Sequence, residues 1–262
     1  MANLSLFDLT GRCAVIIGGA GGLGQAIAEA LAEAGALVMI ASRSVESLRR
    51  ACQEIKKGTD HDVFYRPCDA TAEEDVVALL HAAVSQMGKV DILVNAQGIN
   101  KKHPGTEVPV AIFDEMMSAN VTSVMLACKH FGKYMQDNDI HGKIINLGSV
   151  RGIRAVGNGG GGNVAYCASK GAVEMLTKAY ASDLRPNIQV NLIGPTVTYT
   201  PMMQGILPDD PKERAAKASA LPAMRIGEIN DVKGPAIFLA SSASDFITGS
   251  SLYPDGGLTA IG

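Results

Sequence analysis

The chain has no tryptophan, and aromatic residues make up only 5% of it. It carries 29 glycines and many alanines instead, small residues that suit close packing of helices on a sheet better than an all-β sandwich. None of its five cysteines (Cys13, Cys52, Cys68, Cys128 and Cys167) forms a C-x-x-C pair. An odd number without that spacing argues against a disulfide framework and against a structural zinc site; reduced thiols in a cytoplasmic protein are expected, with no metal. No basic stretch precedes the first apolar run at 13–17, and that run is too short for the apolar region of an export signal. The glycosylation sequon at Asn120 therefore carries no weight. No stretch approaches the roughly 20 apolar residues that span a bilayer, so no membrane segment is expected. The formal net charge of −3 gives no electrostatic case for nucleic acid or an anionic membrane as partner.

What remains is an ordinary globular balance, 47% hydrophobic and 19% charged over 262 residues, enough for one large α/β domain or two small ones. Short apolar runs at 12–18, 36–41, 62–68, 90–95, 143–147, 188–193 and 251–253 read as strands. Longer patterns at 23–34, 45–57, 112–135 and 165–184 read as helices, with one or two helices in the third. A further helix starts near Thr71, where a hydroxyl precedes Glu73, Glu74 and Asp75 as cap and acidic first turn. Strands that are apolar throughout, alternating with helices, predict a doubly wound parallel sheet with helices on both faces. No linker splits the chain, so 1–262 is expected to be a single domain; the glycine-rich stretch 157–163 is a loop within it. In such sheets ligands bind beyond the carboxyl ends of the strands, which singles out the loops after Gly18, Asn95, Leu147 and Ile193.

The first of these loops runs Gly18-Gly19-Ala20-Gly21-Gly22-Leu23-Gly24 straight into a helix. Glycine lets the backbone approach a pyrophosphate, and the helix N-terminus offers free N–H groups and the positive end of its dipole. Two registers fit: G-x-G-x-x-G on Gly19, Gly21 and Gly24, or G-x-x-x-G-x-G on Gly18, Gly22 and Gly24. At the end of the second strand, where a reader of the NAD ribose would place an acid, the chain has Ser42-Arg43-Ser44. A guanidinium flanked by hydroxyls suits a ribose 2′-phosphate, so NADP(H) is favoured over NAD(H). Asp69, with Ala70 beside it after the third strand, either accepts from the adenine amino group or caps the next helix.

Tyr166-Cys167-Ala168-Ser169-Lys170 opens a helix, which puts Tyr166 and Lys170 on one face at i and i+4. A phenol titrates near pH 10, and a nearby ammonium, or the positive nicotinamide ring, lowers that value toward neutral. Upstream, Ser149 follows the fifth strand, where its hydroxyl can hold a carbonyl or alcohol oxygen.

Over nearly its whole length the chain resembles the classical short-chain dehydrogenases/reductases. The resemblance rests on the glycines at 18–24, Asn95-Ala96-Gln97-Gly98, Asn120, Ser149, Tyr166 with Lys170, the segment from Asn191 through Thr200, and Asp255-Gly256-Gly257. It implies a Rossmann fold, and an NAD(P)-dependent oxidoreductase that interconverts a secondary alcohol and a ketone. Tyr166 is then the general acid/base and Ser149 orients the substrate oxygen. Lys170 lowers the Tyr166 pKa and binds the nicotinamide ribose, and Asn120 holds a water that relays protons from Lys170. Gly18, Gly22, Leu23, Gly24, Ser42, Arg43, Asp69, Ala70, Asn95, Gly98, Tyr166, Lys170, Pro195 and Thr200 contact the cofactor. The chain departs from the family in carrying Ile17 where Thr is usual, Gln97 for Ala, Thr196 for Gly, and a longer interval between Ser149 and Tyr166.

The segment 95–109 looks most like the gluconate 5-dehydrogenase branch, which interconverts sugar acids and keto acids. Independently, Lys101, Lys102 and His103 follow the fourth strand and Arg151 and Arg154 the fifth, so Lys101, His103, Arg151 and Arg154 are candidates to hold a substrate carboxylate. A 3-oxoacyl thioester reductase shares the same catalytic residues, and a non-catalytic nicotinamide-binding sensor is the reading from another class, against which the intact proton relay speaks. The expected partner is a small-molecule substrate. The resemblance implies a homotetramer, or a dimer, on helices 112–136 and 165–184, with the C-terminal strand at a second interface. Ala172, Val173, Met175, Leu176 and Ala179 are compatible with an outer helix face there, and 196–221 is expected to form a substrate lid.

Overall fold

The computed structural model describes residues 4–155, 163–199 and 210–261. Seven parallel strands lie in the order β3-β2-β1-β4-β5-β6-β9. They are β1 (Cys13–Ile17), β2 (Leu37–Ser42), β3 (Val63–Pro67), β4 (Ile92–Asn95), β5 (Gly142–Leu147), β6 (Ile188–Ile193) and β9 (Ser251–Leu252). From β1 the sheet grows outward to β2 and β3, then returns and grows the other way through β4, β5 and β6. The reversal between β1 and β4 opens a crevice at the carboxyl edge, where ligands of such sheets bind. Register fixes that edge: Ile17 pairs with Asn95, Asn95 with Asn146, and Leu147 with Ile193. The glycine turn and the loops holding Asn95 and Ser149 therefore leave the sheet side by side.

Side chains alternate across each strand, so an apolar strand feeds two cores. Val15, Ile17, Leu93, Ile144 and Val190 face α3 (Glu73–Met87), α5 (Ser123–Asp137) and α6 (Val164–Asp183). Ala14, Ile16, Ile40, Val94 and Ile145 face α1 (Gly22–Glu33), α2 (Val45–Lys56) and α8 (Lys233–Ala240).

Several details differ from expectation. Helix α3 starts at Glu73 with Ala72 at its cap, not Thr71. The Thr71 hydroxyl and N–H both donate to the Asp69 carboxylate instead, at 2.7 and 3.0 Å. Residues 110–137 form one unbroken helical stretch: α4 (Val110–Met117), a π turn at Ser118–Thr122, then α5. Contrary to expectation, one 18-residue window of this 28-residue stretch is long and apolar enough to cross a membrane, with a mean hydropathy of 1.2. Its apolar side lies on the sheet, where Leu126, Ala127, Phe131 and Met135 are buried. Val173, expected on an outer face, is likewise buried in the core, whereas Met175 is exposed. Of the expected lid, 200–209 lies outside the described residues, as do 157–162 of the glycine-rich stretch. The described remainder holds β7 (Thr198–Tyr199), which pairs in parallel with β8 (Gly227–Glu228), and α7 (Pro211–Ser219).

A buried polar chain crosses the core beneath the carboxyl edge. Asn95 Nδ2 donates to Asn146 Oδ1 at 2.9 Å, Asn146 Nδ2 donates to Thr177 Oγ1 at 2.9 Å, and Thr177 donates to the Val173 carbonyl. It joins β4, β5 and α6, the three elements that carry Asn95, Ser149 and Tyr166. Removing a partner leaves a buried amide unsatisfied. Asn146→Leu should therefore lower unfolding free energy by about 1–3 kcal/mol in urea titration, with a parallel loss of activity.

Candidate active site

The glycines of the first loop differ in their surroundings. Gly18 has φ +83°, and a Cβ there would lie 2.6 Å from the Ala96 carbonyl carbon and the Gln97 nitrogen, so the β1 and β4 loops touch backbone to backbone. At Gly24 a Cβ would overlap the Gly18 carbonyl oxygen, so any side chain would push α1 off the turn. Gly19 packs against Ile40, whereas Gly21 and Gly22 border open space. Gly18 and Gly24 fit the tight turn and the close helix packing of such a motif, while Gly21 and Gly22 are both open to the approach of a ligand. Helix α1 begins at Gly22, and Gly21 before it has no side chain to cap the first N–H groups, which leaves them for an anion.

The residues at this edge fit a nicotinamide dinucleotide. Ser42 Oγ, Asn95 Oδ1, Gln97 Oε1 and Asn163 Oδ1 are buried without a hydrogen-bond partner among the described residues. Buried polar atoms are rarely left so, and Ser42, Asn95 and Gln97 stand at or just past the carboxyl ends of β2 and β4, where a polar ligand would meet them. Arg43 is exposed beyond Ser42, and Ser44 caps α2 by accepting from the Ser47 N–H at 3.2 Å. The two Thr71 bonds hold the Asp69 carboxyl below the usual range against the cost of burial, and the Arg43 charge adds a lesser pull in the same direction. Ala70 beside it is buried.

Asn120 sits in the π turn, fully buried. Its amide receives the Ile99 N–H at 2.7 Å and donates to the Ile99 carbonyl and to Ser169 Oγ, both at 2.9 Å. π turns inside α-helices recur at functional sites, and this one aims Asn120 across to the loop after β4. A Cβ on Gly98 would come within 3.0 Å of Asn120 Oδ1 and 3.7 Å of Lys170 Nζ. Ser169, which the sequence reading passed over although it lies between Tyr166 and Lys170, donates on to the Tyr166 carbonyl at 2.9 Å.

Ser149 ends the loop after β5, mostly buried. Its hydroxyl donates weakly to the Pro195 carbonyl at 3.4 Å and accepts from the Arg151 N–H at 3.2 Å. Tyr166 faces it from the first turn of α6. Burial, and to a lesser degree the neighbouring Cys167, push the phenol above its ordinary value, while a hydrogen bond with Ser149 and the Arg151 charge oppose the shift. Lys170 lies 5.8 Å from the centroid of the Tyr166 ring and donates to the Leu147 carbonyl at 2.7 Å. Its burial lowers its own pKa from 10.5 to about 8.

The four candidate cations have different surroundings. Lys101 is paired at 2.6 Å with Glu115. His103 meets Asn163 through a backbone bridge, and Arg154 bonds carbonyls near the C-terminus. Arg151 donates to the Ala155 carbonyl at 3.1 Å while its charge reaches the Tyr166 phenol. Thr200 lies outside the described residues. A cavity of about 680 Å³, lined by Ala215 and Ala218 of α7 with Tyr199 of β7 and Ile226, contains none of these groups.

The burial of Lys170 has a consequence for stability. The folded chain releases this proton near pH 8, the unfolded chain near 10.5, so between those values the unfolded state holds more protons and stability rises with pH. The raised thiols of Cys52, Cys68 and Cys128 act in the opposite sense, but equally in a variant that lacks only this ammonium. In denaturant titrations the stability of the wild type relative to Lys170→Met, which has no proton to release, should therefore rise across pH 8–10.

Comparison with known proteins agrees with this geometry. A family profile described as Enoyl-(Acyl carrier protein) reductase matches residues 18–259. The 2-dehydro-3-deoxy-D-gluconate 5-dehydrogenase of Formosa agariphila is 35% identical over 98% of this chain and 96% of its own. The 5-keto-D-gluconate 5-reductase of Escherichia coli K12 is 33% identical over 97% of each chain. A crystal structure of a gluconate 5-dehydrogenase from Burkholderia cenocepacia J2315, in complex with NADP and tartrate, superposes with a TM-score of 0.90 at 33% identity, covering 99% of each chain. With a glycine turn at the sheet's switch point and Ser149, Tyr166 and Lys170 gathered beyond β5, the chain belongs to the short-chain dehydrogenase/reductase family of nicotinamide-dependent oxidoreductases.

Proposed function

We propose that the chain interconverts a secondary hydroxyl of a sugar acid with its keto form, using NADP(H) in preference to NAD(H). The observation that carries this reading is that Arg151 stands on the loop of Ser149, its backbone N–H donating to the Ser149 hydroxyl at 3.2 Å, so a cation belongs to the loop that faces Tyr166. A carboxylated substrate bound there has its acid group met by a guanidinium while its reacting oxygen lies at the two hydroxyls. The names of the relatives support the same chemistry.

In this mechanism Gly18, Gly22, Leu23 and Gly24 hold the pyrophosphate, Ser42 and Arg43 a ribose 2′-phosphate, and Asp69 and Ala70 the adenine side. Asn95, Gly98, Pro195 and Thr200 line the path to the nicotinamide. Bound nicotinamide supplies the hydride exchange at the substrate carbon. Ser149 holds the substrate oxygen, and Tyr166 Oη gives that oxygen a proton in reduction or takes one in oxidation. Lys170 keeps a positive charge under the Tyr166 ring below about pH 8 and binds the nicotinamide ribose. Asn120 fixes the loop at Ile99 and would hold the water that links Lys170 to solvent as a proton relay.

The same reading includes a homotetramer, or a dimer, on α5 and α6. Met175 is 62% exposed on the outer face of α6, and Phe246 stands wholly exposed near β9.

Three outcomes test the reading. In a panel of sugar keto acids, 3-oxoacyl thioesters and simple ketones, the keto acids should give the highest kcat/KM; preference for thioesters would replace this reading by the reductase alternative. Arg151→Ala should raise KM for keto acids roughly tenfold or more, the loss of one charge-assisted pair, and leave neutral ketones unaffected. Arg43→Ala should weaken NADPH binding about tenfold with little effect on NADH; tighter NADH binding by the wild type contradicts the cofactor assignment.

A further inference from the structure

Arg154, a candidate for the substrate carboxylate on sequence grounds, has its guanidinium turned elsewhere. Nη1 donates to the Leu258 carbonyl and, at 3.0 Å, to the Ile261 carbonyl. These oxygens belong to a tight C-terminal turn whose other end is closed by Asp255. That carboxylate accepts the N–H of Gly257 at 2.9 Å, the N–H of Thr259 at 2.8 Å and the Thr259 hydroxyl at 2.7 Å. A charged group thus grips the segment at each end.

Between those grips the segment presses on the chain that leaves α7. The Gly256 carbonyl accepts the Ala223 N–H at 2.9 Å. Gly257 lies so close to Pro222 that a Cβ would come within 2.8 Å of its ring. Asp255 and Gly256 join Thr196, Leu221 and Asp231 around a cavity of about 180 Å³. Thr196 follows Pro195, whose carbonyl receives the Ser149 hydroxyl and the Val150 N–H. Contacts therefore run without a break from the Ser149 loop through Arg154 and the C-terminal turn to the exit of α7, and back to the Ser149 loop through residues 195–196.

We propose that Arg154 is a positioning residue that fastens the catalytic loop to the C-terminal turn and, through Gly256 and Gly257, sets where the chain leaves α7. The proposal rests on the reading of Ser149 and Tyr166 as the reaction centre, but it removes Arg154 from substrate contact. A fastener of this kind sets the wall of the substrate site without touching the reacting atoms, so its loss shows in KM rather than kcat. One guanidinium nitrogen makes both bonds, so a lysine ammonium keeps part of the tie.

The test compares wild type, Arg154→Ala, Arg154→Lys and a chain ending at 257. Amide hydrogen exchange is followed at 219–224 and 255–257, with kinetics on 5-keto-D-gluconate and NADPH. Arg154→Ala should speed exchange about tenfold in both segments and raise KM about tenfold, with kcat within a factor of two. Arg154→Lys should fall between wild type and alanine. The shortened chain should match Arg154→Ala, and adding the substitution to it should change nothing further. A raised KM with unchanged exchange at 219–224 would mean direct substrate contact and overturn the proposal, as would no change in either measurement. If the wild type does not reduce 5-keto-D-gluconate, the substrate reading fails, and exchange at 219–224 alone decides the role of Arg154. Should Arg154→Ala not fold, the lysine variant and the shortened chain carry the same comparison.

Discussion

The hydrogen bond from the Lys170 ammonium to the Leu147 carbonyl fastens α6 to the end of β5, and the geometry of the catalytic edge depends on it. It brings the first turn of α6, with Tyr166, against the loop that carries Ser149. An ammonium in such a setting costs free energy, visible in its lowered pKa, and the carbonyl offsets only part of that cost. The Asn120 amide adds a second fastening, since it bonds the loop after β4 and Ser169 of α6 at once. The loop after β4, the end of β5, the π turn and α6 are thus cross-linked by buried polar groups close to the phenol.

The parallel sheet makes this possible. Because β1, β4, β5 and β6 end in register, their loops meet on one edge, and each needs only a few residues to reach the common crevice. Close packing enforces the approach on the nucleotide side, where Gly18 and Gly24 leave no room for a side chain. On the chemical side the Asn95–Asn146–Thr177 chain runs beneath the same edge. The site is rigid where hydrogen bonds are buried, and at the carboxyl edge Ser42, Asn95 and Gln97 each keep a buried polar atom without a partner among the described residues.

Much of this was legible in the sequence because it depends on local pattern. Apolar runs marked the six long strands, and the order of glycine turn, Ser149, Tyr166 and Lys170 marked the edge and its chemistry. What the sequence concealed depends on contacts between distant segments. Glu115 neutralises Lys101, and carbonyls at the C-terminus take Arg154; neither pairing leaves a local signal. The crowding around Gly18 and Gly19 needed the positions of Ala96 and Ile40, supplied by other strands. The π turn at Asn120 lies inside a helical pattern that periodicity reads as continuous, and the two-residue strands β7 and β8 are too short to show alternation. Thr71 looked like a helix cap, but Asp69 bound its hydroxyl first.

The account centres on proton transfer by the Tyr166 hydroxyl, and Tyr166→Phe removes that oxygen while keeping the ring over Lys170. Steady-state turnover measured beside NADPH binding by fluorescence tests it most directly. The prediction is a fall in kcat of roughly 10²–10⁴-fold with unchanged cofactor affinity. Turnover within a few fold of wild type would contradict it.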